Sequence, residues 1–298
     1  MMSKPVHVLA ENLAFPEGPC VVPNDGLCVS EVEAGWVTRI DRHGVRRWVQ
    51  TGGRAVGAAI HRDGSLYLCN SGLHVVLRIQ PSGDWMIVAR ESGGEPLIRP
   101  NDLVFDRNGV LYFTDPRLDP ESSRERPSGM VHRMTPDGVV QPVGGGMAFS
   151  NGIAFGRDGA LYVAETSLGR IQRWELTEDG TVAAREVFAG VSRPEDGPGG
   201  PDGMAFDIDG YLFVAVYGSG RIRIVDPGGR LVDEFDACGR RPTNICFGGP
   251  EGRHVFVTEA ETGRLLAWEL DRPGLPLWGD SPWSMVDWSW LLAPPGPI

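Results

Sequence analysis

The stretch "FSNGIAFGRDGALYVAE" (Phe149–Glu165) reads as an apolar strand, a tight Arg-Asp-Gly turn and a second strand, yet it opens on a polar Ser-Asn-Gly. Two further stretches share that layout: "RPNDLVFDRNGVLYFTD" (Arg99–Asp115) and "GPDGMAFDIDGYLFVAV" (Gly200–Val216). Working outward, the unit recurs along the chain with leads near Glu17, Val56, Asn101, Asn151, Asp202 and Asn244. The matching turns are "NDG" at Asn24, "RDG" at Arg62, "RNG" at Arg107, "RDG" at Arg157, "DIDG" at Asp207 and "PEG" at Pro250. Five leads lie eight residues before the turn glycine and Glu17 lies nine before. The glycine is expected to supply the positive φ of a two-residue hairpin.

Each hairpin is followed by a third β-rich run such as "GRIQRWEL", and usually by a fourth such as "AAREVF". Four short antiparallel strands in repeats of about 40 to 50 residues are the signature of a propeller blade. The fold class is therefore all-β, a six-bladed β-propeller of four-stranded antiparallel blades. No segment of helical period breaks the pattern. The sixth repeat lacks a fourth strand, while the chain starts with an orphan strand at Val6–Ala10, so the N-terminal strand is expected to complete the last blade and close the ring. Residues 1–298 form one domain, with blades over about residues 6–270 and a Pro/Trp-rich tail over 271–298. The tail's four tryptophans are expected to cover apolar surface on the ring, with a partner interface as the alternative.

Composition narrows the function. A net charge of −11 argues against nucleic acid as a partner, because phosphate-backbone binders carry basic patches. Of the 28 basic residues only Lys4 is a lysine, leaving 27 arginines, which removes P-loop and Schiff-base lysine chemistry. Five cysteines without a Cys-x-x-Cys spacing point to core residues in a reducing compartment, and no apolar run is long enough for a signal peptide or a membrane span. A cytoplasmic protein acting on a small molecule is the expectation; its oligomeric state is left open.

In a propeller the first strand of each blade lines the central channel, so residues leading into these strands converge at one mouth. Glu17, Asn101, Asn151 and Asp202 would form an all-oxygen cluster suited to a hard divalent cation, Ca²⁺ first, with Mg²⁺, Mn²⁺ or Zn²⁺ as alternatives. Asn244 shares the position with a weaker claim. Taken singly, Asn-Gly, Asp-Gly and Asn-Asp are ordinary turn residues, and that reading competes at the Asn and Asp leads; Glu17 fits it less well, and the Val56-Gly57 repeat needs no polar lead. Asp115, Glu165 and Glu259 close second strands, in either channel-lining or blade-edge roles. The histidines fall in no metal-spaced pair and are read as surface or core residues, and no G-x-S-x-G occurs.

"FPEGP", "RPNDLVFD", "SNGIAF" and "GPDGMAFD", in that order and spacing, resemble the senescence marker protein 30/gluconolactonase family of six-bladed propellers over about Phe15–Leu270. The resemblance implies that Glu17, Asn151 and Asp202 hold a divalent metal, that Asn101 lies beside it and contacts the ligand, and that Arg99 contacts substrate hydroxyls. It implies Asp202 as the general base, with metal-bound hydroxide as the competing activator. A substrate-contacting glutamate of the sugar-lactonase members has no clear match among Asp115, Arg117, Asp119 and Glu121. The expected activity is metal-dependent opening of a small lactone. The alternatives are a phosphotriesterase resembling the diisopropylfluorophosphatase branch, and a non-catalytic binding propeller with a structural cation.

Overall fold

The computed structural model describes residues 6–23, 26–276 and 286–291. Six four-stranded antiparallel sheets follow one another as the blades of a propeller. Their inner strands are Pro16–Val22, Ala55–Ile60, Leu103–Phe105, Ser150–Phe155, Gly200–Phe206 and Pro242–Gly248. In blades 1 to 5 the chain then steps outward through three more strands; blade 4, for example, adds Leu161–Glu165, Arg170–Leu176 and Val182–Gly190. Blade 6 has His254–Glu259 and Arg264–Glu269, and its outer strand is His7–Ala10 from the other end of the chain. Val8 faces Leu266 and His7 faces Ala267 in that ladder, as the missing sixth-blade strand predicts.

The turn chemistry differs from the sequence expectation in one detail. In blade 2 Gly64 N–H donates to His61 C=O (2.9 Å) and His61 N–H to Ser65 C=O (2.9 Å), with Gly64 at φ 81°. Blade 3 repeats this with Asp106, Gly109 and Val110. These are three-residue loops, a type I turn followed by a left-handed residue, rather than two-residue turns; glycine is needed because only one position is left-handed and a Cβ is strained there. The Asn24 turn lies outside the described residues. A short helix, Pro120–Glu125, capped by Asp119 Oδ1 accepting from Ser122 N–H (2.9 Å), interrupts the all-β pattern in blade 3.

Blades are joined by aromatic pairs in register. Phe105, Phe155, Phe206 and Phe247, each near the end of an inner strand, meet Tyr67, Tyr112, Tyr162 and Phe213 of the preceding blade at centroid separations of 5.1, 5.2, 4.8 and 5.2 Å, all T-shaped. Edge-to-face pairs add roughly 0.5–1.5 kcal/mol each beyond their burial. The largest apolar cluster spans blades 5, 6 and 1 and takes in Trp288 and Leu291 of the tail. The Trp288 ring stacks on Phe256 at 5.8 Å, so this tryptophan packs on the ring as expected; Trp278 and Trp283 lie outside the described residues. Among the described residues no helix is long and apolar enough to cross a membrane.

Removing residues 1–12 strips blade 6 of its outer strand and uncovers the ladder edge of Arg264–Glu269. Scanning calorimetry of the truncated chain should show the midpoint lowered by about 10 °C or more, given that a kcal/mol moves a chain of this size by only about 2–4 °C. An unchanged midpoint would contradict the closure argument.

Candidate active site

The glycine that follows the lead in inner strands such as Ala55–Ile60 and Ser150–Phe155 has a packing cause. A Cβ placed on Gly57 would sit 2.3 Å from Asp102 Oδ1 and 2.7 Å from the Asn101 carbonyl oxygen, and one on Gly152 would sit 2.1 Å from the Asp202 carbonyl oxygen. The glycines after the leads thus let neighbouring inner strands touch at the axis; Gly57 N–H donates to Asn101 C=O at 2.8 Å. Neither Gly57 nor Gly152 has a positive φ, so these dipeptides are strand residues at a close approach and not turns.

The structure buries Glu17, Asn151 and Asp202 at that approach, at 4%, 5% and 9% exposure, with Asn101 half-buried above. Glu17 Oε2 accepts from Gly18 N–H (2.7 Å) and from Asn244 Nδ2 (2.9 Å), so Asn244 does belong to the cluster. Asn151 Nδ2 donates to Thr166 Oγ1 (3.0 Å), whose hydroxyl donates to Pro201 C=O (2.7 Å).

Asp102 is a member that sequence reading missed. Its Oδ1 accepts from Leu103 N–H (2.9 Å), and its backbone N–H donates to Thr114 Oγ1 (3.1 Å). Asn244 repeats this with Ile245 N–H (2.8 Å) and Thr258 Oγ1 (3.0 Å), so the two residues are equivalent across the ring. Residue counting gave no signal for this: Asp102 lies 12 residues before Thr114 whereas Asn244 lies 14 before Thr258, so only the hydroxyl contacts set the equivalence.

Burial dominates the electrostatics. It pushes Glu17 up to about 8, reinforced by Asp102 and opposed by the Asn244 and Gly18 donors. It pushes Asp102 up to about 6 against the N–H groups of Leu103 and Ile153. Asp202 is driven well above the carboxylate range by burial first, then by Glu17 and Asp102. Three carboxyls thus share the axis and favour protons over mutual repulsion.

The second-strand acids are loop anchors. Asp115 accepts from Ile98, Arg99 and Arg117 N–H (2.9, 2.8 and 3.2 Å), which fixes the backbone that carries Arg99. Glu165 takes Ala148 N–H (2.8 Å), and Glu259 takes Arg241 N–H (2.9 Å). Arg99 is half-buried at this rim, and its charge helps hold Asp119 below the usual carboxylate range, after the larger effect of the Ser122 donors. Phe15 and Phe149, two residues before Glu17 and Asn151, take left-handed φ values of 58° and 66°, a strained backbone of the kind found at functional sites. Behind Asp115, His132 meets Ser92 Oγ at 2.8 Å but stays 3.9 Å from Asp115 Oδ2. With Ser92 buried, that trio is a core contact and not a nucleophile relay.

The donor set fits a hard cation. Among the described residues Asn151 Oδ1 is buried without a hydrogen-bond partner, and at Asp202 beside it Glu17 and Asp102 add repulsion to the cost of burial. Among the described residues no three His, Cys, Asp or Glu side chains form a metal-ligating group by themselves. Any site here depends on the carboxamides.

Comparison with known proteins agrees with this architecture. A profile described as the SMP-30/Gluconolactonase/LRE-like region matches residues 15–261. The gluconolactonase of Zymomonas mobilis is 26% identical over 284 residues, covering 86% of this chain and 79% of its own. The diisopropyl-fluorophosphatase of Loligo vulgaris is 29% identical over 293 residues, covering 89% and 92%. A solved structure from Xanthomonas campestris, described as a gluconolactonase, superposes with a TM-score of 0.75 at 24% identity, covering 91% and 89%.

The raised carboxyls set a pH signature for cation-free protein. Each contributes stability that is complete below its unfolded value near 4 and is lost as pH rises through its folded value, here about 6 for Asp102 and about 8 for Glu17. Melting in EDTA should therefore show a midpoint that falls by several degrees between pH 5 and 8.5. Glu17→Gln should flatten that slope; an unchanged slope in the variant would show that Glu17 does not carry it.

Proposed function

The chain belongs to the SMP-30/gluconolactonase/LRE-like family, and from that premise we propose that it hydrolyses a small lactone at the axial cluster with the help of one divalent cation, Ca²⁺ by preference. The observation that carries the reading is the burial of Glu17, Asn151 and Asp202 around the orphaned Asn151 Oδ1, below the half-buried Asn101. These four residues would hold the cation. When bound, it supplies Lewis-acid polarisation of the ring carbonyl and neutralises the buried carboxyls. Relatives named gluconolactonase and diisopropyl-fluorophosphatase support an ester-type electrophile.

This chain's residues then have distinct tasks. Asp202, which would be ionised once a cation offsets its burial, accepts the proton of the attacking water at a carboxylate oxygen. The water oxygen bonds to the carbonyl carbon, the ring C–O bond breaks, and the proton held by Asp202 passes to the departing ring oxygen. The products are a hydroxyl and a carboxylic acid on one chain, and the acid then releases its remaining proton to solvent to become a carboxylate. Arg99, on a backbone pinned by Asp115, orients substrate hydroxyls or a carboxylate with its planar fork. Asn101 offers its carboxamide at the boundary between ion and substrate.

The phosphotriesterase reading rests on one observation, the match to 92% of the Loligo vulgaris enzyme's length. A panel of aldonolactones, simple γ- and δ-lactones, diisopropyl fluorophosphate and paraoxon decides between the two. Lactone turnover should fall at least about 100-fold in EDTA and return with calcium, each tenfold being about 1.4 kcal/mol of barrier. Turnover of the phosphorus esters alone would replace the proposal with the second reading, and EDTA-insensitive turnover would remove the cation from it.

Asp202→Ala should abolish turnover and tight calcium binding. Arg99→Ala should keep calcium affinity within a few-fold while lowering kcat/KM about 10-fold or more, because it orients substrate and not the ion. Calorimetric titration of calcium into both variants separates the roles; loss of calcium binding in Arg99→Ala would refute the division.

A further inference from the structure

The channel holds a second chamber on the face opposite the candidate site. The proposed ligands sit where the inner strands begin, whereas a cavity of about 710 Å³ is lined by their later residues and by the hairpin loop at His61–Gly64. Asp102 and Asn244 line its inner end. That volume is within the range of small-molecule sites, about 300–1,000 Å³.

Its wall is apolar and preformed. Phe105, Phe155, Phe206 and Phe247 line it, one from each of blades 3 to 6, and each is fixed edge-on by an aromatic ring of the preceding blade. Ala58 and Ala205, both partly exposed, keep the space open where larger residues would fill it. Among the described residues, Arg39 and Arg62 bring two cations to the chamber against the carboxylate of Asp63, with His61 beside it. Asp63 is engaged by Arg78 (2.6 Å) and His61 (2.9 Å), and Arg39 is held 3.6 Å over the Trp48 ring.

We propose that this chamber is a second binding site, meeting the candidate active site only at Asp102 and Asn244, for an amphipathic monoanion: a medium-chain carboxylate whose tail lies among the phenylalanines and whose head meets Arg39 and Arg62. Strand from Asp102 to Asp106 advances roughly 13 Å at about 3.3 Å per residue, which suits an acyl chain of about eight to ten carbons. Burial of each methylene should tighten binding about fourfold until the chamber is filled.

Isothermal titration of the calcium-loaded protein with hexanoate, octanoate and decanoate, below micelle-forming concentrations, tests this, with decanol as the uncharged comparison. Saturable one-to-one binding that tightens from hexanoate to decanoate and is weaker for decanol is expected. Ala58→Phe should weaken decanoate about 10-fold or more, with Ala205→Leu as a second chamber-filling variant should the first melt early. Arg62→Ala should weaken decanoate but not decanol, and should leave lactone turnover unchanged. No saturable binding, affinity independent of chain length, or equal affinity for decanol would overturn the proposal. So would loss of decanoate binding in Arg99→Ala, or competition by a lactone substrate, either of which would put the acid at the opposite mouth. The titrations with hexanoate, octanoate, decanoate and decanol do not depend on the chain being a lactonase, so the two proposals fail separately.

Discussion

The pairing of His7–Ala10 with Arg264–Glu269 is the contact on which the rest of the ring depends. Without it the edge of Arg264–Glu269 would be exposed and blade 6 would lose its tie to the start of blade 1, across which runs the apolar cluster that also receives Trp288 and Leu291. Closure fixes the diameter of the channel, and the diameter fixes how near the inner strands come. At Gly57 and Gly152 they come too near for a side chain. Convergence of oxygen donors from five blades is a consequence of that geometry and needs no local motif of its own.

What converges is costly to bury. Glu17, Asp102 and Asp202 each prefer a proton at the axis, and the fold offsets part of this with the Gly18, Leu103 and Ile153 amides and the Asn244 carboxamide. A dication in the same place would relieve all three at once, and its affinity would rise with pH because protons must leave first. The outer acids follow the opposite logic. Asp115, Glu165 and Glu259 spend their acceptor capacity on loop amides, so each strand-ending carboxylate holds the loop that delivers its own blade's inner strand. Site residues are thereby placed by charge-assisted hydrogen bonds one step removed from the chemistry.

Much of this was legible in the residue order. Period-two strands around Asp-Gly and Asn-Gly turns, repeated six times, determined an all-β ring, and the orphan strand at Val6–Ala10 determined how it closes, since a missing ladder partner and a spare strand require each other. The leads Glu17, Asn151 and Asp202 were legible because a polar residue opening a buried strand must have a reason. The short helix at Pro120–Glu125 was hidden in a loop too brief to show a helical period.

Tertiary structure decided the rest. Asp102 escaped notice because counting back from the turn glycine lands on Asn101, while the true equivalence with Asn244 is set by the hydroxyls of Thr114 and Thr258 on the neighbouring strand. Whether a strand-ending acid lines a channel or anchors a loop depends on which backbone amides the loop turns inward, and no local pattern encodes that. The chamber lined by Phe105, Phe155, Phe206 and Phe247 was equally invisible, because those residues read as core in every repeat and only the ring leaves space between them. Sequence determined which groups each blade presents; closure of the ring decided which of them meet, because proximity at the axis joins residues from 51 positions apart, as Asp102 and Ile153, to 227, as Glu17 and Asn244, that share no local interaction.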